Sequence, residues 1–265
     1  MLTDSKTEKL YDIIRNYANA VVSLSGGTDS VAVAHAAKMA LGEKNVIATT
    51  AITDFLKESE IRMAKEAAQY IGIEYRAVRV YLMGTEKVIA NNADRCYHCK
   101  KMILNAIDEE RKNLRFEVVF DGYNMDDENE YRPGKAAAEE LGVVSPFKLA
   151  GFTKEDIREY MQKNGLKSFI QPSNSCLATR IKTGQMIDFK LIRKVCAAEN
   201  YLMSLGYSHV RVRVNHRDAL VQVAPEEVAE LLMNEEEIIS ELKLIGFNDV
   251  SIDKDGYKRS VIKND

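Results

Sequence analysis

Short apolar runs of strand length alternate with amphipathic stretches of helical length through the first two-thirds of the chain. The runs fall at residues 21–24, 46–51, 75–80 and 118–121. Between and after them, helical spacing predicts helices over 5–18, 29–41, 55–71, 99–114, 134–141 and 153–164. Ile61, Ala64, Ala68 and Ile71 share one face of the third of these. Thr153 followed by Asp156 is a capping-box-like start, and Gly165 is a stop. Such alternation is what a parallel α/β sheet requires. The segment Phe169-Ile170-Gln171-Pro172-Ser173-Asn174-Ser175-Cys176 breaks the rhythm. After it the pattern predicts a long helix over 187–205 and strands over 210–214 and 219–223, joined by Asn215-His216-Arg217-Asp218. A helix opened by Pro225, another over 236–244, and short strands near Val250 and Lys258 follow. The expected organisation is an α/β domain over residues 1–178 and a smaller α+β domain over 179–265.

Composition adds mainly exclusions. With 46% hydrophobic and 29% charged residues, the 265-residue chain has the profile of an ordinary globular protein with a full core. The net charge is −3, and from Ser173 onward 13 basic residues face 14 acidic ones, so neither part is a basic module. Binding to nucleic acid by bulk charge is not expected. No apolar run spans a bilayer, and Met1-Leu2-Thr3-Asp4-Ser5-Lys6 has no apolar leader core. The expectation is a cytoplasmic protein with no membrane partner. Four cysteines in such a chain are not a disulfide framework.

The candidate chemistry begins where the first strand ends. Ser25-Gly26-Gly27-Thr28-Asp29-Ser30 joins that strand to a helix. A turn of this kind presents backbone N–H groups at a helix N-terminus, where the dipole favours an anion. Its glycines let the backbone approach that anion closely. Ser25 and Ser30 add hydroxyls, and Asp29 could hold a cation against phosphates. The Gly-Lys-Ser/Thr ending of a Walker A loop is absent. SGGTDS resembles instead the PP-loop, SGGxDS, of the ATP pyrophosphatase superfamily. That resemblance implies a Rossmann-like parallel sheet, ATP and Mg²⁺, and cleavage of ATP between its α- and β-phosphates. It also implies that the end of the second strand, around Thr50, contacts adenine.

Ligands of open α/β sheets sit at the carboxyl ends of strands. Asp121, Asn124 and Asp127 follow the fourth strand, placed either to reach phosphates, Mg²⁺ or substrate, or to form an Asx-rich turn. Arg132 precedes a predicted helix; its guanidinium could stabilise a leaving pyrophosphate, or it is a solvated arginine.

Cys96 and Cys99 form a CxxC at a predicted helix start, half a zinc site or a redox pair. Cys176 stands in a small-residue loop, and Cys196 reads as a core residue of a helix. Three thiolates could bind three irons of a 4Fe-4S cluster, or zinc with His98.

Taken together, SGGTDS, DRCYHCKK, DGYNMDD, YRPG, SPF, PSNSCLATRI and VRVR resemble the LarE family of ATP-dependent sulfur transferases along nearly the whole chain. The resemblance implies adenylylation of a carboxylate of a pyridinium dicarboxylate mononucleotide, then conversion to a thiocarboxylate for a nickel-pincer cofactor. In one branch the cysteine matching Cys176 gives up its own sulfur and becomes dehydroalanine. In another, three cysteines hold a 4Fe-4S cluster that carries sulfide. Cys96 and Cys99 place the expectation in the cluster branch, with Cys96, Cys99 and Cys176 as ligands and sulfide or a sulfur-donor protein as partner. The resemblance further implies a substrate-phosphate site at Arg180, Arg211 and Arg213, with Glu199 orienting them, and a homo-oligomer, a hexamer. Rival readings are a cluster-dependent tRNA-thiolating enzyme, a zinc-stabilised ATP-binding module without catalysis, and a disulfide-active CxxC protein.

Overall fold

The computed structural model describes residues 2–129, 133–172 and 175–257. The chain forms two compact units, Met1–Leu82 with Cys96–Asn174, and Met83–Arg95 with Ser175–Asp265.

The first unit holds β1 (Ala20–Ser23), β2 (Val46–Thr53), β3 (Glu74–Val80) and β4 (Val118–Phe120) in a parallel sheet of order β3-β2-β1-β4. Its register pairs Ala20 with Val46 and with Val118. Successive side chains point to opposite faces. Ala20, Val22, Ala48 and Phe120 enter one cluster with α1 (Leu2–Arg15), α2 (Thr28–Leu41) and α3 (Glu58–Ile71). Val21 and Val119 enter another with Ile107. α2 is buried from Ser30 to Ala34 and at Ala36 and Ala37, because helices crowd it against the sheet, which explains its nearly all-apolar sequence. The short α4 (Glu86–Ile89) lies in the stretch that joins the second unit, and α5 (Arg95–Leu114) carries Ile107. α6 (Gly134–Glu140), α7 (Pro146–Ala150) and α8 (Lys154–Lys163) complete the first unit. Thr153 and Asp156 form a full capping box at α8.

Two differences from the sequence pattern have physical causes. The predicted helix over 55–71 begins only at Glu58, because Glu60 accepts from the Lys57 backbone N–H (2.9 Å) and caps the helix there. The predicted helix over 99–114 begins at Arg95 and so encloses both CxxC cysteines.

In the second unit, β5 (Arg211–Asn215) and β6 (Asp218–Gln222) form an antiparallel hairpin, and β7 (Val250–Ile252) runs parallel to β6. α9 (Phe189–Ser204) packs on β5, and α11 (Glu235–Ile245), which follows α10 (Val228–Met233), packs on β7 and α9. Asp188 caps α9 through the Lys190 N–H (2.6 Å). The strand predicted near Lys258 lies outside the described residues. Residues 83–95 were not anticipated as part of this unit. Asn91, fully buried with φ 56°, holds them there: its amide donates to the carbonyls of Lys182 (2.9 Å) and Gln185 (3.0 Å).

A partly buried polar network links three helices of the first unit. His35 Nδ1 lies 2.8 Å from the Tyr160 hydroxyl, which lies 3.2 Å from that of Tyr11. Burial, and then the Lys38 charge, pull His35 down to about 4. The folded state therefore favours neutral His35, and this contribution is complete above the unfolded value near 6.5 and is lost as pH falls toward about 4. Because the ring is partly exposed, the expected loss between pH 7 and pH 5 is about 1 kcal/mol after solvent screening. Urea unfolding at the two pH values checks this, with the His35→Gln variant showing a correspondingly smaller pH dependence.

Candidate active site

The order β3-β2-β1-β4 reverses direction at β1, so the carboxyl ends of β1 and β4 flank a topological switch point. The β1–α2 loop closes on itself there. Ser30 Oγ donates to the Gly27 carbonyl (2.9 Å) and accepts from the Ser25 N–H (3.2 Å), while the Ser25 and Ser30 hydroxyls lie 3.1 Å apart. Gly26 has φ 82°, and a Cβ there would lie 3.0 Å from the Glu60 carbonyl oxygen. Gly27 is the N-cap of α2 and brings no side chain over its first turn, the end of a helix that favours an anion. Thr28 is tied to residue 171: its hydroxyl accepts from the Gln171 N–H (2.9 Å) and lies 3.2 Å from the Gln171 carbonyl.

The turn after β4 is pressed against this loop. A Cβ on Gly122 would lie 2.8 Å from the Asp29 carbonyl carbon and 2.9 Å from the Ser30 nitrogen. Asn124, fully buried, donates to Asp29 Oδ2 (3.0 Å) and so orients that carboxylate. Val144 pairs alongside Phe120 and brings Ser145 to Asp121, whose Oδ1 accepts from Ser145 Oγ (2.6 Å) and the Tyr123 N–H (3.2 Å). Lys100 Nζ lies 4.0 Å from the other oxygen of Asp121. Asp127 pairs with Lys154 Nζ (3.0 Å), and Asp126 accepts from the Lys154 N–H (2.7 Å) at the start of α8. The Asx-turn pattern and the contact with Asp29 therefore coexist in one segment. Thr50 is buried and donates to the Leu24 carbonyl (2.7 Å), joining the ends of β1 and β2. Gly122, Lys100, Ser145 and Lys154 were not singled out from sequence; only the apposition of separate segments reveals them. Arg132 lies outside the described residues.

The second unit carries Cys176, which is exposed at the start of a short 3-10 turn, Leu177–Arg180. The Arg180 side chain is 1% exposed and makes a two-pronged ion pair with Glu199, 2.7 Å at Nε and 3.2 Å at Nη2. Arg211 is buried, with its guanidinium 5.0 Å from the centre of the Tyr257 ring. Burial, followed by the Arg180 charge, pulls Arg211 below the ordinary arginine value, and Glu199 opposes the shift. Arg213 donates to Gln222 Oε1 (2.7 Å). A groove of about 490 Å³ is lined by Thr179, Arg180, Lys182, Arg213, Asn215 and Asp218, among others. Arg180, Glu199, Arg211 and Arg213 thus occupy one unit, though Arg180 is turned inward to Glu199.

The expected 4Fe-4S cluster is not supported. Among the described residues, no group of three or more His, Cys, Asp or Glu side chains could hold a metal ion. The expected ligand set of Cys96, Cys99 and Cys176 does not form such a group. None of the four cysteines is in a disulfide. The CxxC and Cys176 motifs are each present, but motif order in a sequence does not bring thiolates within reach of one centre.

Comparison with known proteins places this geometry in context. The NAD synthase family model matches residues 6–111. The chain is 33% identical over 259 residues to slr1717 of Synechocystis sp., described as an uncharacterized protein, covering 97% of this chain and 96% of that one. It is 29% identical over 254 residues to pyridinium-3,5-bisthiocarboxylic acid mononucleotide synthase of Lactiplantibacillus plantarum, covering 96% and 92%. It is 32% identical over 79 residues to an NH(3)-dependent NAD(+) synthetase of Pyrococcus horikoshii, covering 29% and 30%. Among the described residues, no helix is long and apolar enough to cross a membrane.

Proposed function

We propose an adenylylating sulfur-transfer activity for this chain, which belongs to the family of slr1717 and carries a PP-loop domain of the NAD synthase superfamily related to LarE-like sequences. One observation carries the first half of the reading. The uncapped N-terminus of α2 opens beside Asp29 at the switch point, with Ser25 and Ser30 locking the loop. The donors fit a polyphosphate, and the glycine at position 26 lets the loop pack directly against the backbone of α3. ATP would lie with its phosphates on these amides. Mg²⁺ would travel with ATP and neutralise phosphate charge, with Asp29 the carboxylate held toward it by Asn124.

A substrate carboxylate oxygen then attacks the α-phosphorus. A bond forms between that oxygen and phosphorus, and the α–β phosphoanhydride bond breaks to release pyrophosphate. The acyl-adenylate is an activated acyl donor. The Cys176 thiolate attacks its carbonyl carbon, and the C–O bond breaks with AMP leaving. Loss of the Cys176 Cα proton to solvent, with cleavage of Cβ–Sγ, leaves dehydroalanine and a thiocarboxylate. Each chain would deliver one sulfur. The relative named for pyridinium-3,5-bisthiocarboxylic acid mononucleotide supports a pyridinium dicarboxylate mononucleotide as substrate.

The substrate phosphate would bind in the groove of the second unit, where Arg213 and Lys182 supply positive charge. Arg213→Gln is expected to raise about tenfold the mononucleotide concentration that half-saturates single-turnover pyrophosphate release, the loss of roughly one charge-assisted hydrogen bond, with little change in the rate at saturation. Single-turnover release of pyrophosphate against substrate concentration checks this.

The reaction type is tested by separating the nucleotides formed from ATP in the presence and absence of the pyridinium dicarboxylate mononucleotide. AMP and pyrophosphate in equal amounts, dependent on the carboxylate, support the reading. ADP and phosphate, or cleavage indifferent to the carboxylate, overturn it.

A further inference from the structure

We infer that Arg180 and Glu199 are positioning residues that hold the Cys176 turn in the conformation from which its thiol attacks; this rests on the sulfur-transfer reading above. The Arg180 guanidinium points into the turn that carries the nucleophile. Its Nη1 donates to the Ser175 carbonyl (2.6 Å), Ser175 Oγ (2.8 Å), the Thr179 hydroxyl (3.0 Å) and the Cys176 carbonyl (3.2 Å). The remaining edge is taken by the two oxygens of Glu199. Glu199, fully buried on α9, also accepts from the Val212 N–H (3.1 Å) and is thereby fixed to β5. A rigid strand and helix thus reach the Cys176 backbone through one ion pair.

The turn itself is cross-tied. The Thr179 hydroxyl donates to the Cys176 carbonyl (2.7 Å) and lies 2.9 Å from the Ser175 hydroxyl. From the other side Arg95 donates to the Ala178 carbonyl (3.0 Å) and to Asn91. The backbone flanking Cys176 is held by side chains, while Cys176 stays exposed. A buried ion pair contributes little net stability against an apolar replacement, but it fixes geometry. Arginine suits this work because its planar fork reaches several acceptors at once, which a lysine ammonium cannot do. The sequence resemblance assigned Arg180 to the substrate phosphate; the hydrogen bonds assign its donors to the Cys176 turn.

The test uses the full-length protein and two variants, Arg180→Lys and Thr179→Val. The second changes a side chain at the surface of the turn and keeps the fold if the buried substitution does not. In single-turnover mixing with ATP and the pyridinium dicarboxylate mononucleotide, pyrophosphate release reports the first step and AMP release the second. At saturating mononucleotide, the rate of AMP release relative to that of pyrophosphate release is expected to fall about tenfold in both variants, the loss of one to two well-placed hydrogen bonds. Without substrate, alkylation of Cys176 by iodoacetamide, followed by peptide mass, is expected to change at least about threefold while Cys96 alkylation stays constant. Wild-type AMP release and unaltered Cys176 alkylation in both variants would overturn the inference. Should the wild type itself release no pyrophosphate, the sulfur-transfer reading fails, and the alkylation rates alone decide whether the clamp holds the turn.

Discussion

Replacing Cys176 by alanine is expected to abolish sulfur transfer while leaving ATP binding and pyrophosphate release within about twofold of the wild type. Cys176 belongs to the second unit, and the residues that would hold the triphosphate belong to the first. The SGGTDS loop, Asp29 and Asn124 are tied together by hydrogen bonds within the first unit. Removing the thiol takes away the attacking atom, so no residual activity is expected in the second step. The acyl-adenylate, with no sulfur nucleophile, should accumulate or hydrolyse slowly, so AMP release should lag behind pyrophosphate release. Parallel measurement of nucleotide binding, pyrophosphate and thiocarboxylate product checks this division of labour. Loss of ATP binding in Cys176→Ala would contradict it.

The second large effect is expected at Gly122. An alanine there must place its Cβ 2.8 Å from the Asp29 carbonyl carbon and 2.9 Å from the Ser30 nitrogen, both backbone atoms of the first turn of α2. Backbone cannot swing aside as a flexible side chain can, so either the β4 turn or the α2 N-terminus must shift. Overpacking of this kind costs about 1–3 kcal/mol. The atoms displaced are those that position Asp29 and the amides proposed to bind phosphate. A misplacement on the order of 1 Å at such a site lowers a rate by about 100-fold. Gly122→Ala is therefore expected to lose about 100-fold in carboxylate-dependent pyrophosphate release while remaining folded. Gly84→Ala is the control, because a Cβ at Gly84 meets nothing within 4 Å and its backbone needs no left-handed conformation. Equal activity of the two variants would show that the close approach at Gly122 does not position the loop.

The sequence pattern reached the parallel sheet and the loop after β1 because both are written locally. Strand-length apolar runs bounded by turn residues give β1 to β4, and two glycines between strand and helix give the phosphate loop. The β5–β6 hairpin was legible for the same reason, from alternation around Asn215-His216-Arg217-Asp218. What lay beyond the sequence is non-local. Nothing in residues 83–95 announces that the Asn91 side chain ties them to residues 181–185. Nothing in the sequence marks Gly122; only its close approach to the backbone of α2 does. Arg180 was expected at a substrate phosphate from the family resemblance; its ion pair with Glu199, nineteen residues on, is visible only in the structure. The cluster expectation failed on the same ground. Three cysteines in a suggestive order say nothing about whether their thiolates converge, and here no metal-holding group forms among the described residues.

The measurement that bears most directly on the account is the mass of the intact protein, and of its Cys176 peptide, after a single turnover with ATP and the pyridinium dicarboxylate mononucleotide. The account expects the product to gain one sulfur in place of oxygen and the protein to become lighter by one H₂S, with the change confined to Cys176. Product bearing sulfur alongside a protein of unchanged mass would contradict it, since the sulfur would then have come from elsewhere than the Cys176 side chain.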